Sequence, residues 1–383
     1  MNELIYLDYN ATTPCHPAVV ETMLPYFTRQ FGNAASKSHV YGWTAEEAVE
    51  EARAGTASLI HANPEEIIFT SGATEAINLA IRGVIEKSAQ PQPHIITYAT
   101  EHKAVLDVCA LLTTKGVAVT VLPVQTDGSI DVAELEAAIQ PNTVLMAAMY
   151  ANNETGTVLP VKEIGAIAHK HNVLFFCDGT QAAGKIAIDM KNDGVDLLSL
   201  SAHKFYGPKG IGALYIKKTS PKIALTALQV GGGHEKNLRS GTLNVPGIAG
   251  MGAAADWCKQ HLEENAKQLA ALRNRLWAGI STIEGVQWNG TRHHSLPNVL
   301  NVCFNFNGGD TMLQRISKYI AASSGSACSS ATVQPSHVLL AMGLSETAAL
   351  SSIRFSLGWP TTEEEIDRAV IHIQTAAANC RLA

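Results

Sequence analysis

The sequence predicts an α/β fold. Two observations carry that expectation: short apolar runs alternate with helical patterns through the middle of the chain, and polar residues suited to chemistry stand at the ends of those runs. The runs near 94–98, 117–122, 143–149, 173–177 and 196–200 read as strands, with helical patterns such as Val161 to His171 filling many of the gaps. Strand, helix and strand in succession build a mainly parallel sheet, whose ligand binds beyond the carboxyl ends of the strands.

The first element with chemical content is Glu66 to Thr70, a short strand, followed by Ser71-Gly72-Ala73-Thr74-Glu75, which opens an apolar helix running to about Ile85. Small residues let a backbone approach an anion, and free N–H groups at the positive end of a helix bind it, so this is a phosphate seat. Its plainer reading is an ordinary helix cap supplied by Ser71 or Thr74. Next, the strand Val173 to Cys177 delivers Asp178 at its mouth, with Gln181 close behind. The apolar run Val195 to Leu200 then leads into Ser201-Ala202-His203-Lys204-Phe205-Tyr206-Gly207-Pro208-Lys209-Gly210. An amine held at the end of a buried strand can join an aldehyde, although a lysine taken alone is more often a solvated surface charge. Phosphate seat, carboxylate and lysine in this order together describe a site for pyridoxal 5′-phosphate (PLP), whose pyridinium nitrogen needs an acid and whose aldehyde needs an amine.

Around Gly247 the pattern changes to a long helical stretch reaching about Ile280, which marks a domain boundary. Beyond it, Asn298 to Phe306 and Ser351 to Ser356 read as strands and Glu363 to Asn379 as a closing helix. The expected division is a large domain over 15–255 and a smaller α+β domain made of 1–14 and 256–383, the latter carrying the loop around Cys328.

With 383 residues, two domains are the default expectation. Charged residues make up 16% of the chain, below the roughly 25% usual for soluble domains, as a large core or a subunit interface would require. The net charge of −6 and the lack of a long basic cluster argue against nucleic acid or an anionic membrane as partner. No signal segment or membrane-spanning run is evident, so a cytoplasmic location is expected. The seven cysteines are scattered without a Cys-x-x-Cys pair, the pattern of reduced thiols. Five lie in or beside apolar segments; Cys328 stands among serine, glycine and alanine, and Cys380 near a terminus expected to fray. Gly207 to Gly212 has the wrong spacing for a dinucleotide loop, while Gly231-Gly232-Gly233-His234 and His293-His294 read as loops rather than metal sites.

Several segments together resemble the cysteine desulfurases. They are Tyr6-Leu7-Asp8-Tyr9-Asn10-Ala11-Thr12-Thr13-Pro14, Thr70 to Glu75, Thr100-Glu101-His102-Lys103-Ala104-Val105, Asn152-Asn153-Glu154-Thr155-Gly156, the Lys204 segment, Arg239-Ser240-Gly241-Thr242, Ser323 to Ser330 and Ser352 to Gly358. The likeness covers essentially the whole chain. The small residues around Cys328 are similar to the NifS/IscS type; the Arg-x-Gly-His-His-Cys setting of the other main branch is not found. Two positions depart from the usual pattern: Gly179 stands where alanine is frequent, and Ala202 where glycine is usual.

The resemblance implies a PLP-dependent transferase fold of the aspartate aminotransferase type I kind and conversion of L-cysteine to L-alanine. It implies that Lys204 links PLP and then moves the Cα proton, that Asp178 keeps the pyridine nitrogen protonated, and that His102 stacks on the ring and shuttles protons. Ala73, Thr74, Ser201 and His203 would hold phosphate; Gln181 and Asn153 would meet the phenolic oxygen and the ring or substrate edge. Arg354 would fork onto the substrate carboxylate, with a structural ion pair as its alternative. Cys328 would take the sulfur as a persulfide, and by resemblance only it is a candidate shared ligand of an iron–sulfur cluster. The 231–242 loop would reach a neighbouring subunit's cofactor in a homodimer, with Thr242 on its phosphate, and a protein such as an iron–sulfur scaffold would accept the sulfur. Two other functions stay open: a selenocysteine lyase or other PLP-dependent amino acid lyase, and an idle scaffold paralogue, which should have lost Lys204, Asp178 or Cys328 and has lost none.

Overall fold

The structure, a computed structural model, describes residues 4–324 and 334–381. Its strands are β1 (Ile5–Tyr6), β2 (Ile67–Thr70), β3 (His94–Tyr98), β4 (Ala118–Leu122), β5 (Thr143–Met149) and β6 (Leu174–Asp178). They continue with β7 (Leu197–Ser201), β8 (Gly212–Ile216), β9 (Val286–Asn289), β10 (Val299–Phe304), β11 (Ile320–Ala321) and β12 (Ser352–Ser356). A seven-stranded sheet in the order β2-β8-β7-β6-β5-β3-β4 forms the centre. The run β7-β6-β5-β3-β4 is parallel throughout, as the alternating pattern requires.

Two strands break the parallel rule for a simple reason. β8 follows β7 after a connection too short for a crossover, so it turns back antiparallel, and β2 pairs antiparallel with β8 in turn. β2 therefore runs in the same direction as β7, and its carboxyl end joins those of β3, β5, β6 and β7 on one edge. Direction also reverses within the sheet: the chain steps outward from β3 to β4, then returns past β3 to β5 and on to β6 and β7. The gap between the ends of β3 and β5 is a topological switch point, the usual place for a ligand in such sheets.

Both faces of the central sheet are covered, which explains why its strands are continuously apolar instead of alternating with polar residues. Phe175 and Cys177 of β6 enter one core with Leu198 and Leu200 of β7, while Phe176 and Leu197 point into the core on the opposite face. A third core gathers Ile5, Leu7, Leu300, Val302, Phe304, Ile353 and Phe355 around an antiparallel sheet of order β12-β10-β9. The amino-terminal β1 lies beside this core, parallel to β11.

Helix Val245–Ile280 belongs to two cores. Val245, Ile248, Met251, Ala254 and Cys258 along its first half are buried against the central sheet. Leu269, Leu272, Leu276 and Ile280 along its second half are buried in the third core. Its first half also meets helix Val40–Leu59, where a Cβ on Gly252 would fall 2.4 Å from the Cα of Ala52. Close helix contact of this kind needs small residues, and it uses the glycine and alanine content of both segments.

The sequence-based elements agree with these bounds to within a few residues. Helix Val161–Lys170 replaces the expected Val161 to His171, and the closing helix is Glu363–Arg381. Cys380 differs from its expected setting near a fraying end: it is buried beside the carbonyl of Gly308 at 3.5 Å and the sulfur of Met312 at 3.7 Å. Packing of the last helix onto the third core holds it there. Among the described residues no helix is long and apolar enough to cross a membrane.

Candidate active site

The carboxyl edge of the central sheet collects most of the singled-out residues. In register, Met149, Asp178 and Ser199 stand side by side across β5, β6 and β7. Asp178 is buried, and its Oδ1 accepts bonds from the Thr180 amide at 3.0 Å, the Thr180 hydroxyl and the Ser199 hydroxyl at 2.8 Å. No donor among the described residues meets Oδ2. The carboxylate is thus anchored through one oxygen, with the other left to accept an N–H.

β7 ends at Ser201, and the short turn Ala202–Lys204 that follows presents Lys204. Lys204 Nζ donates to the main-chain carbonyls of Asn10 at 2.6 Å and Ala11 at 2.8 Å. The same amino-terminal segment is tied to the turn from the other side, since the Thr13 amide and hydroxyl both donate to the His203 carbonyl. His203 Nδ1 lies 3.1 Å from the Thr12 hydroxyl, and burial, then the positive charges of Lys204, Lys209 and Lys185, push its pKa down to about 4. It is a neutral imidazole at pH 7. Ala202, the departure noted in the sequence, fits because it faces Gly207, where a Cβ would come within 2.7 Å of the alanine methyl.

β2 leads into helix Ala73–Lys87, whose N-cap, Gly72, supplies no side-chain bond to the first turn. The opening amides of Ala73 and Thr74 are therefore not satisfied by a side-chain cap. A Cβ on Gly72 would stand 3.8 Å from the Ser201 hydroxyl, while one on Gly212 of β8 would strike the Gly72 backbone at 2.6 Å. Two glycines back to back thus keep a small cradle between the helix start and Ser201. An uncapped helix terminus, an adjacent hydroxyl, a carboxylate with one oxygen unspent and a lysine on the neighbouring turn fit the phosphate, pyridine nitrogen and aldehyde of PLP.

His102 caps helix Lys103–Thr113, its Nδ1 accepting from the Ala104 amide at 3.1 Å. Loss of hydration lowers its pKa, a shift that Asp178 opposes and that Lys204 and His337 reinforce. Beside it, Glu101 is fully buried; its Oε1 accepts from the Met149 amide at 2.6 Å, and its Oε2 has no partner among the described residues. Burial raises the pKa of Glu101 well above the usual carboxyl value, a shift that the bond from the Met149 amide opposes and the charge of Asp178 reinforces.

Gln181 is buried, with Nε2 donating to the Asn10 carbonyl at 3.1 Å and Oε1 accepting from Lys185 Nζ at 2.6 Å. The Asn153 carbonyl accepts from Asn10 Nδ2 and from Arg354 Nη1, both at 3.0 Å. Arg354, on β12, also donates Nη2 to Asp8 at 2.8 Å, leaving Nε buried without a partner among the described residues. The guanidinium is therefore in an ion pair in this structure, the alternative raised from the sequence. Its backbone pairs with Ser323 in both directions, at 3.2 and 2.6 Å, just before the segment 325–333.

Thr242 is exposed and lies beyond Arg239, which binds Glu75 of the phosphate-seat helix at 2.8 Å. Cys328 lies outside the described residues. Among those residues no three His, Cys, Asp or Glu side chains assemble as a metal site. Burial raises the thiol pKa at Cys15, Cys177, Cys258 and Cys303, and pushes Cys109 up to about 12.

Sequence reasoning missed Asn10, Ser199, Thr180 and Lys185. Asn10 lay inside a quoted motif without a role. Lys185 had a visible signal, since it interrupts the small and apolar run Ala182-Ala183-Gly184-Lys185-Ile186-Ala187-Ile188, where a solvated lysine has no place.

Comparison with known proteins agrees with this geometry. The family model described as aminotransferase class-V matches residues 5–369, and the chain belongs to that family. Within it, the chain falls among the cysteine desulfurases of the IscS type, and PLP is its cofactor. It is 51% identical over 367 residues to the protein named cysteine desulfurase IscS of Anaeromyxobacter dehalogenans (strain 2CP-C), covering 96% of this chain and 90% of the relative. It is likewise 51% identical over 379 residues to cysteine desulfurase IscS of Proteus mirabilis (strain HI4320), covering 98% and 93%. A solved NifS-like protein superposes with a TM-score of 0.90 at 37% identity over 100% of both chains. A structure described as SspA in complex with cysteine gives 0.82 at 38% identity, covering 92% of this chain and 98% of the other.

The placement of Lys204 generates the first prediction. Borohydride reduction of the PLP-loaded protein followed by peptide mapping will put the pyridoxyl group on Lys204. A label on Lys185 or another lysine would refute the assignment.

Proposed function

We propose that the chain removes sulfur from L-cysteine, releases L-alanine and retains the sulfur on Cys328 as a persulfide for a protein acceptor such as an iron–sulfur scaffold. The observation that carries this reading is the convergence of Asp178, Lys204 and the uncapped start of helix Ala73–Lys87 on one sheet edge, in a chain half identical to named cysteine desulfurases. When bound, PLP supplies an aldehyde for the amine and a ring that accepts electron density from Cα.

The chain's own residues do the rest. Asp178, anchored through Oδ1, holds a proton on the ring nitrogen with Oδ2. The amides of Ala73 and Thr74, with Ser201 and His203, receive the phosphate, and Gln181 and Asn153 bind the ring oxygen and substrate edge. Lys204 is the linking amine and then moves the Cα proton. His102, an exposed imidazole whose pKa is lowered, can accept or return a proton at the mouth of the site. Arg354 receives the substrate carboxylate in place of part of its bond to Asp8. Cys328 attacks as thiolate: its Sγ bonds to the substrate sulfur, the Cβ–S bond breaks, and Cβ gains a proton to complete alanine. By resemblance, Cys328 would also be the residue that touches an iron–sulfur cluster during delivery.

The exposed apolar residues Leu24, Phe27, Phe31, Val40, Tyr41 and Trp43 support the homodimer. Phe31 and Tyr41 lie together, with ring centroids 5.4 Å apart. In the dimer Thr242 would reach the partner's phosphate. The separate cores support the division into 15–255 and 1–14 plus 256–383, with helix Val245–Ile280 crossing the boundary. The free, mostly buried thiols support a reducing cytoplasmic setting.

Three outcomes test the proposal. Sedimentation equilibrium will give twice the chain mass, and Phe27→Glu with Phe31→Glu will shift it toward one chain; a wild-type monomer would remove the dimer. Arg354→Lys keeps a charge but loses the planar fork, so cysteine should bind about tenfold or more weakly while thermal melting reports the folded protein. Unchanged apparent affinity would assign Arg354 to its ion pair with Asp8 alone. Cys328→Ser should bind PLP and cysteine yet release little alanine, and mass spectrometry of cysteine-treated wild type should find added sulfur on Cys328. Alanine at the wild-type rate from the variant would show that another group takes the sulfur.

A further inference from the structure

Lys185 is a buried amine that the proposed chemistry does not use. It ends the turn that follows β6, four residues beyond Gln181, and Gly184 at φ +72° directs it inward. Among the described residues it has no carboxylate partner. Its two contacts are Gln181 Oε1 at 2.6 Å and, more weakly, Asn10 Oδ1 at 3.4 Å. A buried lysine without an acid is a costly arrangement unless the amine itself has a task.

The geometry around Gln181 shows what that task is. The main-chain carbonyl of Asn10 can only accept, so the atom of Gln181 lying 3.1 Å from it must be the amide nitrogen. The amide oxygen then faces Lys185, its only donor among the described residues. One N–H of the amide is spent on Asn10, and one remains.

We infer that Lys185 is a positioning residue: its amine fixes the Gln181 side-chain amide by holding Oε1, so that the remaining N–H is presented to the bound cofactor. Loss of hydration, then the neighbouring charges of Lys204 and Arg354, lower the Lys185 pKa far below the usual lysine value. An amine donates to Oε1 in either protonation state, so the positioning role rests on the contact itself.

The inference rests on the reading of Gln181 as a cofactor contact, and a mutant cycle separates the two. Gln181→Met, Lys185→Met and the double variant are reconstituted with PLP, and the visible absorption band and PLP affinity are measured, with thermal melting as the control for folding. Each single variant should shift the band and weaken PLP binding about tenfold, the effect of one lost hydrogen bond, and the double variant should match Gln181→Met alone. A Lys185→Met band and affinity like wild type, or losses that multiply in the double variant, would overturn the inference. If Gln181→Met itself left the band unchanged, the reading of Gln181 would fail instead. Should Lys185→Met not fold, Lys185→Ala is measured with and without methylamine. Recovery of the band with the amine is expected, and its failure to recover would count against the role.

Discussion

The arrangement depends on how Asn10 is held. Its main-chain carbonyl takes hydrogen bonds from both Lys204 and Gln181, and its side chain binds Asn298, Lys185 and the Asn153 carbonyl. Its amide donates to the Ser356 hydroxyl. Asn10 is buried, so each of these groups would be left without water if the segment moved away. One residue therefore sets the separation between the lysine on the turn after β7, the amide on the turn after β6 and the strand that bears Arg354. The central sheet fixes the direction of each turn; Asn10 fixes how the turns face one another.

Around this hub, burial works mainly by removing charge. Lys185, His203 and His102 are driven toward their neutral forms, and Glu101 toward its protonated one. For His203 and Lys185, nearby cations act in the same direction as lost hydration. A carboxylate at Glu101 would also repel Asp178, which lies within electrostatic reach. Neutralising the surroundings leaves the field at the sheet edge to fewer groups, as a site that handles an anionic cofactor and an amino acid zwitterion requires. The overall charge of −6 gives no hint of this local balance.

The sequence made the strand mouths legible because each buried strand is a continuous apolar run and Asp178 and Lys204 fall just at or after its end. The phosphate seat was legible because small residues stand between a short strand and an apolar helix, and the structure adds that Gly72 passes close to Gly212. What the sequence hid are contacts made at long range. Asn10 and Ser356 are 346 residues apart, and no local pattern announces that the first segment lies across the sheet edge. The antiparallel direction of β8 was missed although the short connection from β7 that sets it stands in the sequence. Helix Val40–Leu59 was overlooked because its buried face is largely alanine and glycine, which give little amphipathic contrast.

The distance between the chain's ends in sequence also orders the making of the protein. β1 has no partner until Ile320 and Ala321 exist, and Asn10 is not held by its amide until Ser356 does. The central strands from β3 to β8, by contrast, pair with near neighbours and can assemble while the chain is still emerging from the ribosome, whereas β2 waits for β8. The Asn10 segment can meet Gln181, Asn153 and the Lys204 turn once these have been made, but its ties to Asn298 and Ser356 come later. The segment across the reactive amine is therefore fully anchored only when nearly the whole polypeptide has been synthesised, and a truncated chain is left without a finished catalyst.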